Sequence, residues 1–228
     1  MSQGVAPAAD TTEDWLLNGQ VRFHQPASGY RVAIDPILLA AAVSAAGGDV
    51  ALDLGSGTGA ASLCLHHRVP ACRIVGLEKD PDMLALARQN ALLNEAGDRV
   101  AFVEGDVSDP PAQIISNSFD HVFSNPPYLE AMRADGRIIG NAQRDTANIE
   151  NAVGLPTWIE AMVAALKPKG HLTLIHRADR LDELLGELRR HAGEIVIFPL
   201  WPKSDRPAKR VLVSARTGVA TPLRIAPG

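Results

Sequence analysis

Between Val50 and Ser214 the chain alternates short apolar runs with amphipathic stretches, an order that few architectures accept. Val50–Leu54, Arg73–Leu77, Val100–Val103, Phe119–Phe123 and His171–Ile175 have the composition of buried strands. The stretches Thr58–Val69, Pro81–Glu95, Leu155–Leu166 and Asp179–His191 carry helical periodicity. Strands separated by helices require right-handed crossovers, so they predict a mostly parallel sheet with helices on both faces. Glu194–Phe198 and Arg210–Ser214 have no helix between them and predict a closing antiparallel pair. At 228 residues the chain can bury one sizeable core and is short for two.

Ahead of this series, residues 1–14 read as a flexible arm and 15–228 as a single domain. Within that domain, 15–48 form a hairpin-and-helix extension, 49–216 the core and 217–228 a tail. The hairpin is expected to join Gln20–Gln25 to Gly29–Ile34 through Pro26-Ala27-Ser28. Asp35 and Pro36 then supply an N-cap residue and a first-turn proline for a helix that stops at Gly47-Gly48.

Asp53-Leu54-Gly55-Ser56-Gly57-Thr58-Gly59 lies between the first strand of the series and its helix. Glycines there permit a tight turn and close approach of backbone to a ligand, and the helix start offers free N–H donors. Glu78 follows the second strand, where a carboxylate can receive both hydroxyls of a ribose. Asp106 follows the third and can accept from an adenine amine. In an open sheet of this kind ligands sit beyond the carboxyl ends of the strands, where these three acids fall.

The fourth strand runs into Ser124-Asn125-Pro126-Pro127-Tyr128. Two prolines end the ladder, and the first of them restricts Asn125 to an extended conformation. The Asn125 side-chain oxygen and the Pro126 carbonyl can accept from a planar amine, while the flat Tyr128 ring covers the attached plane. Adenine, cytosine or a carboxamide would suit such a set.

Composition bounds the rest. The net charge of −4 divides unevenly: residues 1–176 hold 12 Lys+Arg against 20 Asp+Glu, and residues 177–228 hold 10 against 6. A basic ending on an acidic body points to polyanion contact. Cys64 and Cys72 are too few for a disulfide framework, which points to a reducing compartment. The seven histidines lack ligand spacing, so no metal is expected. No apolar run approaches a membrane span, and Met1–Thr12 has no basic segment followed by an apolar one. A cytoplasmic protein with no membrane partner is the expectation.

The spacing G-x-G-x-G after an acid, read together with the proline-rich tip, resembles the class I S-adenosylmethionine-dependent methyltransferases. That resemblance covers residues 35 to 215 and implies an α/β, Rossmann-like, seven-stranded sheet with the last strand antiparallel. It implies S-adenosylmethionine as cofactor and S-adenosylhomocysteine as product. Asp53, Gly55, Ser56, Gly57, Gly59, Glu78, Lys79, Asp106, Val107 and Asn125 would bind the cofactor, and Asn125, Pro126, Pro127 and Tyr128 would form the catalytic tip. Members with this tip methylate a nitrogen conjugated to a π system.

Three stretches are similar to the bacterial tRNA methyltransferases that modify the adenine beside the anticodon of a valine tRNA: Tyr30 to Ala40, Asn125 to Tyr128, and Arg206 to Arg216. The implied partner is RNA, with Lys203, Arg206, Lys209 and Arg210 as candidate phosphate contacts. Glu130–Asn151, carrying Arg133, Arg137 and Arg144, is expected to be a substrate loop. Methylation of a protein glutamine amide, as on release factors, is the alternative. Those enzymes carry a larger helical domain before the glycine turn, and only about fifty residues precede Asp53 here. A ribosomal RNA base methyltransferase, or an inactive cofactor-binding partner of RNA, are the remaining readings.

Overall fold

The computed structural model describes residues 11–28, 31–127 and 153–227. Among them the elements run β1 (Thr11–Leu16), β2 (Val21–Pro26), α1 (Asp35–Ala42), β3 (Val50–Leu54), α2 (Ala60–Arg68), β4 (Arg73–Glu78), α3 (Pro81–Leu93) and β5 (Val100–Glu104). They continue with β6 (Phe119–Ser124), α4 (Leu155–Ala165), β7 (Leu166–Arg177), α5 (Leu181–Leu188), β8 (Ala192–Leu200), β9 (Arg210–Thr217) and β10 (Arg224–Ile225).

The main sheet has the order β10-β8-β9-β7-β6-β3-β4-β5. From β7 to β5 every neighbouring pair is parallel, and β9 runs antiparallel between β7 and β8. The expected architecture is therefore present, with one strand more than the seven expected. The segment taken for a tail folds back: Glu194 N–H donates to the Thr221 carbonyl (3.2 Å) and Ala226 N–H to that of Ile197 (2.8 Å). These bonds carry β10 onto β8, where it covers an edge whose backbone groups would otherwise be open.

Two apolar clusters fill the faces of the sheet. Leu39, Leu63, Leu65 and Leu84 pack with Ile74 on one side, and Ile159, Met162, Leu184 and Leu188 pack with Leu172 and Val213 on the other. The chain winds outward from β3 to β5 and then returns to place β6 on the other side of β3. That reversal is the switch point at which open sheets form their ligand crevice.

The N-terminal extension differs from the sequence expectation. Val21–Pro26 pairs backward with Thr11–Leu16, and Arg31–Ala33 is not a strand. The turn is made at Leu17, Asn18 and Gly19, all with positive φ (50°, 53° and 86°), so Asn18-Gly19 was the turn signal in the sequence. Thr11–Asp14, assigned to a flexible arm, thus belong to a strand. Helix α1 also ends early, at Ala42, where the Arg68 guanidinium from α2 takes up the carbonyls of Ala40 and Val43.

A pair of asparagines on α3 holds the hairpin to the body. His24 N–H donates to Asn90 Oδ1 (2.6 Å) and Asn90 Nδ2 returns a bond to the His24 carbonyl (2.9 Å). Asn94 does the same for Arg22, accepting at 3.0 Å and donating at 2.5 Å. Four residues of helix rise about 6 Å, close to two residues of strand at about 6.6 Å. The helix therefore presents its amides at strand register. Asn90 Nδ2 also donates to the Thr58 carbonyl (2.9 Å), which ties the hairpin to the glycine turn.

Candidate active site

The turn after β3 is pinned from both sides. The N–H groups of Gly55 and Ser56 both donate to the Leu77 carbonyl at 2.9 Å. Gly59 has φ +83°, and a Cβ there would lie 2.6 Å from Phe102 Cζ, so only glycine allows this backbone against β5. Gly55 faces the Trp158 ring, which a Cβ would meet at 2.9 Å. Helix α2 then starts at Ala60, directly behind the turn.

The three acids are fixed differently. Asp53 is 2 % exposed and accepts from Ser62 Oγ (2.7 Å). Burial pushes its carboxyl up to about 7, against the pull of that hydrogen bond. Glu78 Oε2 accepts from Gly57 N–H (2.7 Å) and Oε1 from Asp80 N–H (2.9 Å), so the carboxylate and the turn hold each other. Asp106 Oδ1 accepts from Ser108 N–H (2.8 Å) and Oγ (2.7 Å), and Lys79 Nζ lies 3.3 Å from Oδ2. The Ser108 bonds, aided by Lys79, hold the Asp106 carboxyl below the usual carboxylate range.

One cavity of about 850 Å³ brings these groups together at the carboxyl end of the sheet. Its wall contains Asp53, Gly55, Ser56, Gly57, Glu78, Lys79, Asp106 and Val107, together with Asn125, Pro126 and Pro127. Gly59 is not in the wall; it sits behind, against Phe102. Among the described residues, the buried hydroxyls Ser56 Oγ and Thr58 Oγ1 have no hydrogen-bond partner, and both residues line the cavity. Such groups are costly to bury unless a ligand completes them.

The tip is held by residues that the sequence reading missed. Trp158 of α4 donates from Nε1 to Ser124 Oγ (2.8 Å), which donates to the Leu54 carbonyl (2.6 Å). This buried chain links the helix, the residue before Asn125 and the residue before Gly55. A buried tryptophan needs a partner for its N–H, and Ser124 was the polar residue in an otherwise apolar strand end. Tyr128, Arg133, Arg137, Arg144 and the whole expected substrate loop lie outside the described residues.

Lys203, Arg206 and Lys209 are exposed on the connection between β8 and β9. Arg210 is not with them. Its Nε donates to Asp35 Oδ2 (2.9 Å), and both residues line the cavity. The carboxylate expected to cap α1 is instead the first residue of that helix, with Ile34 at the cap position. Arg31 also reaches the cavity wall, bonded to Asp14 at 2.9 Å. Cys64 and Cys72 are buried, and burial pushes their thiols up to about 12 and 11. Among the described residues no group of three or more His, Cys, Asp or Glu could hold a metal ion, and no helix is long and apolar enough to cross a membrane.

A family model described as a methyltransferase domain matches residues 46–197, from the segment before β3 into β8. The chain belongs to that methyltransferase domain family. It is 36 % identical over 172 residues to the tRNA1(Val) (adenine(37)-N6)-methyltransferase of Porphyromonas gingivalis, covering 72 % of this chain and 66 % of that one. The match thus spans just under two thirds of that relative. It is 35 % identical over 153 residues to the release factor glutamine methyltransferase of Deinococcus radiodurans, covering 65 % and 52 % of the two chains. Among solved structures, a predicted O-methyltransferase of Agrobacterium tumefaciens superimposes with a TM-score of 0.69 at 26 % identity, covering 84 % of each chain. Residues 53–59, Glu78, Asp106 and 125–127 all fall within the matched range.

Proposed function

We propose that this methyltransferase uses S-adenosylmethionine to methylate the exocyclic amine of adenine in RNA, at the adenine beside the anticodon of a tRNA. The observation that carries the reading is the shared cavity: Asn125 and Pro126 line it together with the Asp53–Gly57 turn, Glu78 and Asp106. In this reading the described parts of the chain, hairpin included, work as one unit.

The residues present fit the cofactor. A cavity of about 850 Å³ is in the range of small-molecule sites. Glu78 is fixed by two backbone donors and keeps lone pairs for ribose hydroxyls, Asp106 can accept from an adenine amine beside buried Val107, and Ser56 and Thr58 hold unused hydroxyls. When bound, S-adenosylmethionine supplies an electrophilic methyl group on a sulfonium.

The lone pair of an aromatic amine is delocalised into its ring, so the nitrogen becomes nucleophilic only as it turns toward tetrahedral geometry. Asn125 Oδ1 and the Pro126 carbonyl accept its two N–H bonds, and those bonds strengthen as the protons grow more acidic. Trp158, through Ser124, fixes the backbone from which both acceptors project. Holding donor and acceptor atoms in one geometry supplies much of the rate, and no strong base is required. A base stacked in its loop would have to turn out to reach this depth.

A glutamine amide offers the same two N–H bonds, and the similarity to release factor methyltransferases keeps that substrate as the competitor. The test is transfer of a labelled methyl group from S-adenosylmethionine to total tRNA, beside a matched reaction on purified release factors. Label migrating as methylated adenosine in digested tRNA is the expected result. Label in protein alone would replace the RNA reading with glutamine methylation.

A further inference from the structure

Of the large exposed apolar side chains, Trp201 is 47 % exposed and Trp15 is 55 % exposed. Their surroundings differ. The Trp15 ring carries the Arg22 guanidinium 5.0 Å from its centroid, so one of its faces is in use. Among the described residues no ring or cation stacks on Trp201. It opens the connection 201–209 between β8 and β9, followed by Lys203, Arg206 and Lys209, all exposed. Among the described residues none of these three cations makes an ion pair, and Asp205 is the single acid of the segment.

This connection is built rather than slack. Lys209 N–H donates to the Leu200 carbonyl across its neck (3.2 Å), and Arg206 N–H donates to the Lys203 carbonyl (3.2 Å). Pro202 and Pro207 each fix one backbone torsion. Its position follows from the topology. Leu200 and Arg177 both sit opposite Arg210, at the carboxyl end of β8 and β7, which is the end that holds the cavity. Arg210, the next residue, turns inward to Asp35 in the cavity wall. The segment therefore forms a rim at the cavity end of the sheet, directly before Arg210 of the cavity wall.

We propose that Trp201 is a stacking platform for an unpaired base of the RNA substrate, with Lys203, Arg206 and Lys209 following the phosphates on either side of that base. The inference rests on the RNA reading above and adds to it a specific surface and a preference for single-stranded loop RNA over duplex. An exposed aromatic face among free cations is how sequence-tolerant single-strand contacts are made: the ring takes any base, and the charges track the backbone. The acidic body of the chain makes this basic rim the favoured approach for a polyanion. A base held at the rim also leaves the neighbouring nucleotide at the mouth of the cavity, where the adenine must enter.

The test uses the intact chain and its W201A and W201F variants, with unfractionated tRNA as substrate at several salt concentrations. W201A is expected to raise the KM for tRNA about tenfold, while W201F recovers most of it, because stacking needs a ring and not an indole. Cofactor affinity, measured by calorimetry, should not move. A combined K203Q/R206Q/K209Q variant should lower the slope of log affinity against log salt by about 2, a loss that W201A should not share. If the parent methylates tRNA and W201A keeps the parent KM, the inference falls and the RNA reading stands. A W201A change that appears only as loss of self-association, with tRNA kinetics intact, would likewise overturn it. If the parent labels protein and not RNA, both fall together.

Discussion

The two ends of the parallel sheet carry similar residue types to opposite effect. At the amino end, Asp120 accepts from Val50 N–H (3.0 Å) and from Lys167 Nζ (2.7 and 2.8 Å), and His121 bonds Asp49 (3.1 Å) while stacking on His171 at 5.4 Å. Burial works against the Asp120 charge, but Lys167 and the Val50 N–H outweigh it and hold the carboxyl below its usual range. At the carboxyl end, Asp53 has a hydroxyl for a partner, and burial lifts its carboxyl to about 7. Beside it, among the described residues, the buried hydroxyls of Ser56 and Thr58 have no partner. Polar groups that satisfy one another serve the fold. His121 Nδ1 is also buried without a partner among the described residues, but it does not line the cavity; Ser56 and Thr58 do, and there a ligand can complete them.

Substitutions should separate the two ends. The largest expected loss is at the link between the hairpin and the turn. Asn90→Ala removes three hydrogen bonds at a residue with no exposure, leaves the Thr58 and His24 carbonyls short of a donor, and should cost about 3 kcal/mol in urea unfolding. Gly59→Ala forces a Cβ to within 2.6 Å of Phe102 at a positive φ. A loss of about 2–3 kcal/mol, with weaker cofactor binding, is expected from calorimetry on the folded fraction. A parent-like value for either would mean that the turn tolerates movement and that the pinned geometry is unimportant.

Asp53 gives the contrast a pH signature. Its folded value lies above the ordinary 3.8, so its contribution to stability is fully present at low pH and is lost as pH rises from about 3.8 to about 7. Binding of a ligand with positive charge should reverse the preference by favouring the carboxylate. Cofactor affinity is then expected to rise by up to about tenfold per pH unit on approaching pH 7 from below, and to lose that rise in Asp53→Asn. An unchanged pH profile in the variant would assign the effect elsewhere. The smallest effect belongs to the paired end. Lys167→Met breaks a half-exposed ion pair, should cost less than about 1 kcal/mol, and should leave methyl transfer at the parent rate.

The sheet was legible because its strands are local apolar runs and its crossovers follow a fixed hand. The glycine turn was legible because only a few residue types tolerate that backbone. Contacts distant in sequence were not. Asp35 read as a helix cap because capping is local, whereas its partner Arg210 lies 175 residues away. Asn90 and Asn94 fall in the helical stretch Pro81–Glu95, and nothing in their spacing names Arg22 and His24 as partners. The turn residues Pro26-Ala27-Ser28 favour pairing Gln20–Gln25 forward with Gly29–Ile34, although the stronger turn signal, Asn18-Gly19, lies behind. Val32 N–H instead goes to Gln25 Oε1 (2.7 Å), which carries that segment into the cavity wall.

In the proposed reading the Asn-Pro-Pro tip does chemistry, while the glycine turn and the acids after it do the binding. Asn125→Ala, assayed for single-turnover methyl transfer alongside calorimetric cofactor binding, tests it most directly. The account predicts a rate lower by about two to three orders of magnitude with cofactor affinity nearly unchanged. Transfer at the parent rate would remove the tip from the mechanism, and a loss confined to cofactor affinity would make Asn125 part of the binding wall alone.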